Sequence, residues 1–451
     1  MGMDAFDCIV IGTGPGGRAV APALARAGRS VAVVEAELVG GECPFWACIP
    51  SKTLLRAPQL RSESRHVAGL EEPTPAWPAV RAYRDYMNSG LDDTAKAAWI
   101  ESTGVTLVRG RATVPERGVV RVGERELRAP EIVLATGSRA AVPPLPGLER
   151  ELVWTNREVT SMREVPRSAV VLGSGPVGLE SAQWLAELGC AVTLLERGGR
   201  LLAREDEQLS AQALRMLREH GVDVRTHARV SHVVHDDGDP ADGAGVTVHL
   251  EDGGLHHVER LVVATGRVPT SAGLVPPGVA TDDHGAVIVD DRCRAADGFW
   301  AVGDVTGIAP YTHVAGYQGR VVADNLLGGD ARADYRGVPR VVFGEPELAA
   351  VGLTSEQAAA AGLRTRSVQL PLSAVDRTET YGSDLFGGVG LLLDADRDVV
   401  VGAWAAGPEA GEWIHVAALA VKAQVPLAIL RDFVPQFPTF SELWGEAARA
   451  L

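Results

Sequence analysis

Two cysteines five residues apart, Cys43 and Cys48, lie in the run Gly40-Gly41-Glu42-Cys43-Pro44-Phe45-Trp46-Ala47-Cys48-Ile49-Pro50-Ser51-Lys52. A close thiol pair in a chain with only five cysteines suits redox chemistry or metal binding, because thiolates are strong nucleophiles and soft ligands. On a regular helix the two side chains would point about 140° apart. That is too far round for a disulfide, whose sulfurs must approach to about 2 Å, so the backbone between them must be irregular. Pro44 suits a first helical position, and Pro50 removes a donor and crowds the carbonyl of Trp46; together they bracket the distortion. Cys8, Cys190 and Cys293 lie in apolar or strand-like stretches and read as core residues.

The elements that must position this pair begin with a strand, Cys8-Ile9-Val10-Ile11. It is followed at once by Gly12-Thr13-Gly14-Pro15-Gly16-Gly17, a helical pattern to Gly28, and a second strand closing on Glu35. Glycines at these spacings allow a tight turn and close backbone approach to a pyrophosphate. The helix N-terminus adds partial positive charge and the acid binds a ribose hydroxyl, so the layout is that of a dinucleotide site. The pattern recurs as Ala169 to Leu172, then Gly173-Ser174-Gly175-Pro176-Val177-Gly178, a helix to Gly189, and a strand closing on Glu196. Two such units imply two cofactors that exchange a hydride, a flavin and a nicotinamide. Glu196 disfavours a 2′-phosphate, so NADH is preferred over NADPH, with Arg197 and Arg200 as the opposing features. Two strand-plus-glycine runs, ending Thr136-Gly137-Ser138 and Thr265-Gly266-Arg267, read as paired closing turns.

Length and charge agree with a multidomain enzyme. A chain of 451 residues exceeds one ordinary core. Its formal charge of -15 disfavours nucleic acid and anionic membrane surfaces, leaving small molecules as the expected partners. With no apolar run of membrane-spanning length and no leader pattern, the sequence reads as cytoplasmic. The stiff run Pro143-Pro144-Leu145-Pro146-Gly147 suits a domain exit. The acidic stretch 235–243 reads as a solvated hairpin loop, and no metal site is expected.

These motifs, in this order, resemble the dimeric flavoprotein disulfide reductases, the family of dihydrolipoamide dehydrogenase, glutathione reductase and mercuric reductase. The resemblance implies an α/β fold with two Rossmann-like dinucleotide-binding domains and a C-terminal α+β dimerisation domain. FAD would bind to residues 1–150 and 271–334, NAD(P)H to 151–270, and a homodimer would form through 335–451, starting near Val341 to Thr354. Gly12, Gly14, Gly16, Gly17, Glu35, Gly41, Thr136, Gly137 and Asp304 would serve FAD; Gly173, Gly175, Gly178, Glu196 and Gly266 would serve the second nucleotide. It further implies that Cys43 exchanges with substrate and that Cys48 faces the flavin. Lys52 and Glu180 would pair beside the flavin and nicotinamide, and His313 and Ala315 would run past the isoalloxazine.

The chain also departs from that family. Where the family has a His-Pro-Thr-x-x-Glu sequence, with the histidine as base and the glutamate orienting it, this chain has Phe437-Pro438-Thr439-Phe440-Ser441-Glu442. Phenylalanine moves no protons. Glu42 replaces a threonine before the first cysteine, and Phe45-Trp46 put bulk beside Cys43, expected to narrow access or to line a pocket for a flat substrate. A mercuric reductase is disfavoured by the lack of an N-terminal metal-binding domain and a C-terminal cysteine pair, a simple thioredoxin reductase by the position of the dithiol. The expected activity is electron transfer from NAD(P)H through FAD to a small acceptor: a quinone, another electrophile or a low-molecular-weight disulfide. The competing expectation is a flavin redox sensor that does not turn over.

Overall fold

The computed structural model describes residues 4–148, 152–236, 245–382 and 385–451; part of the 235–243 stretch lies outside the described residues. The chain forms two compact units, Met1–Pro50 with Tyr83–Ala141 and Gly266–Asp334, and Ser51–Ala82 with Val142–Thr265 and Tyr335–Leu451. The helix Cys48–Ser64 carries the chain from the first unit into the second.

In the first unit the apolar runs become a six-stranded sheet. Its order is Arg294–Ala296, Phe299–Ala301, Glu131–Leu134, Cys8–Ile11, Val31–Glu35 and Thr106–Arg109. All neighbours after the first edge pair are parallel. The central strand Cys8–Ile11 is buried on both faces, which is why it reads as a continuous apolar run and not as an alternation. The helices Pro15–Arg26 and Thr312–Leu326 pack closely: a Cβ on Gly319 would lie 2.7 Å from the Gly16 carbonyl oxygen and 2.6 Å from Ala19 Cβ.

The second unit holds an all-parallel sheet in the order Val153–Trp154, Arg260–Val263, Ser168–Leu172, Ala191–Leu195, Asp223–Arg225. An antiparallel meander of Val230–Asp236, Gly245–Leu250 and Leu255–Val258 follows. The proline run is pinned to it, for the Val233 amide donates to the Pro146 carbonyl and a Cβ on Gly147 would sit 2.1 Å from the Val233 oxygen. The C-terminal part is a five-stranded antiparallel sheet, Pro339–Val342, Glu347–Gly352, Val399–Gly407, Gly388–Asp394 and Thr365–Pro371. His415–Ala423 and Glu442–Ala450 cover it, with Trp413, Phe440 and Trp444 in the shared core. Among the described residues no helix is long and apolar enough to cross a membrane.

The start of this C-terminal part buries acids. Burial first, then the nearby Glu63 and Glu347, pushes the Glu345 carboxyl up to about 8; burial likewise raises Glu347 to about 7. A carboxyl held protonated in the fold gives stability that is full below its unfolded value of 4.5 and is lost as pH rises through about 8. Glu345→Gln is therefore expected to raise the melting temperature at pH 8.5 by about 2 °C or more and to change it little at pH 5. Equal shifts at both pH values in thermal unfolding would show that this carboxyl does not titrate differently in the two states.

Candidate active site

In the first unit the glycine turn is fixed by close approach. Gly12 has φ +102°, and a Cβ there would lie 2.3 Å from the Ala135 oxygen; a Cβ on Gly17 would lie 2.0 Å from the Gly12 oxygen. Gly16 backs onto Val302, whose Cγ2 is 2.8 Å from its ideal Cβ. Nothing lies within 4 Å of a Cβ on Gly14, and no side chain caps the helix that starts at Pro15. Open space before uncapped amides fits a pyrophosphate. Gly41, at φ +72°, closes over Gly14 with its ideal Cβ 2.8 Å from Gly14 Cα. Glu35 Oε2 accepts from the Thr13 amide at 2.9 Å and its hydroxyl at 2.5 Å, and Oε1 accepts from the Glu37 amide. These residues fit an FAD with the acid at its ribose.

The other first-unit residues converge on Asp304. It lies in the turn Gly303–Thr306, whose Gly303 amide donates to the fully buried Gln318 at 2.6 Å. Asp304 accepts from Ser138 Oγ at 2.6 Å and lies 3.8 Å from Arg267. The two closing turns meet: Thr136 Oγ1 donates to the Thr270 carbonyl, Thr270 N to Gly137 O, and Ala141 N to Gly266 O. Gly266 thus stands with Gly137 in the first unit, although the sequence reading placed it with the second nucleotide. Ala315 is buried with its Cβ 3.2 Å from the ideal Cβ of Gly303, while His313 is exposed and stacks on Tyr311 at 5.4 Å.

Cys43 and Cys48 stand as half-buried thiols. The helical turn Glu42–Phe45 ends at Trp46, and helix restarts at Cys48, so the break lies between the prolines. Pro44 is third in its turn, not first, and Pro50 falls in the first turn of the next helix, where its lack of an N–H costs little. Phe45 corrects the expectation of two aromatics at an acceptor pocket: it is fully buried with Lys96 over its ring at 4.5 Å, whereas Trp46 is half-buried. Cys48 Sγ is 3.2 Å from Thr312 Oγ1. A hydrogen bond to Cys48, burial and the Cys48 charge push the Cys43 thiol far above the usual range, opposed by a hydrogen bond to Thr312 and the charge of Arg18. Glu42 binds Arg267 at 2.5 Å, and Arg267 also donates to Ser138.

The second unit repeats the turn. Gly173 has φ +105°, a Cβ on Gly178 would lie 2.0 Å from the Gly173 oxygen, Gly175 is open, and the helix from Pro176 has no side-chain cap. Glu196 accepts from Ser174 Oγ at 2.5 Å and the Gly198 amide at 2.6 Å. Here too the residues fit a dinucleotide. Lys52 reaches Glu180 at 2.8 Å, and the buried carboxylate also accepts from Ser51 Oγ at 2.6 Å and the Phe343 amide at 3.1 Å. Phe437 is 70 % exposed, and Glu442 accepts from the Thr439 amide at 2.7 Å.

A family signature described as pyridine nucleotide-disulphide oxidoreductase matches residues 6–319, and the dimerisation domain of the same family matches residues 338–448. The chain belongs to that family. It is 31% identical to the probable pyridine nucleotide-disulfide oxidoreductase RclA of Escherichia coli over 98% of both chains. Identity is 34% to a dihydrolipoyl dehydrogenase of Thermus scotoductus, with 100% and 98% covered. A mercuric reductase of Streptomyces lividans is 33% identical, with 98% and 96% covered, so length does not separate the chain from that activity. The structure of a Cu(II) complex of E. coli RclA, a HOCl-induced flavoprotein disulfide reductase, superposes with a TM-score of 0.87 at 30% identity, covering 100% of each chain. In this pyridine nucleotide-disulphide oxidoreductase the sequence reading missed Thr13, Ser138, Arg267, Gln318 and Thr312. Thr13, Ser138 and Arg267 were signalled, by lying inside motifs; Gln318 and Thr312 reach the site through tertiary packing.

The two 2.0 Å approaches generate a paired prediction. Gly17→Ala is expected to lose most bound FAD and purify colourless, while Gly178→Ala keeps its FAD and loses at least about tenfold in NADH affinity, a loss of roughly 1.4 kcal/mol. Visible absorbance and nucleotide titration read the two; a yellow Gly17→Ala protein with wild-type FAD content would refute the assignment of that turn.

Proposed function

We propose that this enzyme is a cytoplasmic homodimer that takes electrons from NADH and passes them, by way of FAD and the Cys43/Cys48 pair, to a small acceptor that demands little proton transfer. Residues 1–150 and 271–334 would hold FAD, 151–270 the nicotinamide nucleotide, and 335–451 the dimer interface. Bound FAD supplies the two-electron exchange between nicotinamide and thiols. Lys52 and Glu180 would fix the local charge: Glu180 is held by three donors, so it stays in place while charge moves nearby. Cys48 would carry the thiolate, and Cys43, whose proton is strongly held, would meet the acceptor.

The observation that carries this reading is the exposed Phe437 at the place of the family's base, with the Glu442 carboxylate already bound to the Thr439 amide. A general base contributes about 10² to 10⁴-fold, and without one the thiol exchange of an ordinary disulfide is slow. Quinones, other electrophiles and thiophilic metal ions need less proton handling. The Cu(II) complex of E. coli RclA and the mercuric reductase relatives support including metal ions in that class.

The choice of NADH rests on Glu196, anchored by Ser174 and Gly198 at the strand end, where it repels a 2′-phosphate. Arg200 is committed to the Ala203 and Glu205 carbonyls and to Glu356. NADPH is expected to need roughly tenfold higher concentration than NADH to half-saturate the rate of flavin bleaching, a difference near 1.4 kcal/mol. Tighter saturation by NADPH in stopped-flow reduction would reverse the assignment.

Acceptor choice is tested in steady state with NADH and a panel of quinones, Cu(II), Hg(II) and glutathione-, lipoamide- and mycothiol-type disulfides. The disulfides are expected to be the slow group. Phe437→His should raise their kcat roughly tenfold or more, toward the range a general base supplies, with little effect on quinone reduction. Wild-type disulfide turnover at tens per second, within the usual enzyme range, would overturn the reading.

A further inference from the structure

The carboxylate immediately before Cys43 is tied to the part of the first unit that carries Asp304. Glu42 Oε2 accepts from Arg267 Nη2 at 2.5 Å, and the same nitrogen donates to the Ser138 carbonyl at 2.7 Å. Arg267 Nε donates to Ser138 Oγ at 2.6 Å, and that hydroxyl in turn donates to Asp304 Oδ2 at 2.6 Å. The arginine is fixed from its own backbone as well, because Arg267–Pro269 pairs antiparallel with Ser138–Ala140. Glu42 and Arg267 are 20% and 23% exposed, which sets them apart from the freely solvated pairs that contribute little.

The main chain of the same residue closes the turn between the cysteines. The Glu42 carbonyl accepts from the Trp46 amide at 2.8 Å and from the Ala47 amide at 3.1 Å, and the next residue, Cys48, starts the following helix. Glu42 is thus the hinge of the segment that must bring the two thiols together, and its side chain anchors that hinge. An anchored segment has less conformational freedom to lose when its thiols join.

We propose that Glu42 is a positioning residue for the dithiol: through Arg267 and Ser138 it holds the Cys43–Cys48 turn on the same frame as Asp304, and so favours the disulfide over the open dithiol. Arg267 offsets the carboxylate charge, which leaves reach and hydrogen bonding as the means. The inference rests on reading Cys43 and Cys48 as the redox pair, and it holds for any acceptor.

The test is the dithiol–disulfide equilibrium of the FAD holoenzyme in anaerobic mixtures of reduced and oxidised dithiothreitol, quenched with acid and read by peptide mass spectrometry after alkylation of the free thiols. Each Cys43–Cys48 bond formed breaks the S–S bond of one oxidised dithiothreitol, and two electrons and two protons pass from the protein thiols to the reagent. Turnover plays no part, so a wrong acceptor assignment leaves the readout intact. Glu42→Ala is expected to lower the ratio of disulfide to dithiol about tenfold in a given mixture, equivalent to roughly 30 mV for this two-electron couple. Glu42→Gln keeps an acceptor oxygen at the same reach and should stay within about threefold of wild type. Glu42→Thr, too short to meet Arg267, should match the alanine variant and replaces it if that variant loses FAD. An alanine or threonine variant inside the wild-type margin, or a glutamine variant outside it, would overturn the proposal. A wild-type protein that forms no Cys43–Cys48 disulfide in any mixture would remove the redox pair itself, and the proposal with it.

Discussion

Two backbone contacts set the terms for the chemistry in this chain: Gly17 against the Gly12 carbonyl and Gly178 against the Gly173 carbonyl, each with 2.0 Å to an ideal Cβ. No side chain fits such a gap, so each helix can start against its strand only with glycine there. Once the turn is closed, its consequences are forced. The helix begins at a proline that has no N–H to satisfy, its first amides point outward without a side-chain cap, and the next strand brings an acid to the turn. Thr13 and Ser174 then orient Glu35 and Glu196 in the same way, and φ at Gly12 and Gly173 differs by only a few degrees. The two units solve one problem twice.

Buried charge is the second constraint, and the chain meets it by saturating acceptors. Glu180 takes hydrogen bonds from Lys52, Ser51 and the Phe343 amide. Glu187, equally buried, is met by His220 at 2.6 Å and by Arg61 and Arg65, so its carboxyl lies below the usual range despite burial. At Glu345 the charge of Arg56 is outweighed by burial and by Glu63 and Glu347, and at Glu347 the Gly411 amide is outweighed by burial, so both carboxyls hold their protons to higher pH. Two outcomes of carboxylate burial, pairing and neutralisation, thus occur within one unit. Both outcomes avoid the cost of an unpaired buried charge.

The turns and the central strands were legible from sequence because their signals are local or lie in motifs with fixed spacing; the Lys52–Glu180 pair, 128 positions apart, came only through the family resemblance. Gly12 to Glu35 is one short segment, and its chemistry follows from the order of its residue types. Gln318 and Thr312 were not legible, since a lone glutamine or threonine has no periodicity, and its importance depends on which distant strand or helix end arrives beside it. Phe45 shows the opposite failure. Its neighbour Cys43 suggested a pocket wall, but Lys96, 51 positions on, covers the ring and turns it into core. The grouping of Ser51–Ala82 with the second unit was equally hidden, because the helix Cys48–Ser64 is continuous in sequence pattern across that division.

In the proposed function electrons and protons are handled by different parts of this molecule, and the departures read from the sequence fall on only one of them. The glycine turns, the Asp304 turn and the Glu180 pair, to which the proposed function gives the holding of cofactors, are present in the structure with close-packed turns and a saturated carboxylate. Phe437, Glu42 and the neighbours of Cys43 concern the protons. Glu42 is drawn to Arg267, so the added carboxylate is neutralised locally. Arg18 and Thr312 both lower the Cys43 pKa against the larger effects of Cys48 and burial. A thiol so strongly protonated is a poor partner for an acceptor that must itself be protonated in exchange. In the proposed cycle that proton must leave Cys43 before any acceptor binds its sulfur, disulfide or metal ion alike, whereas an acceptor that takes electrons without thiol exchange makes no such demand on Cys43.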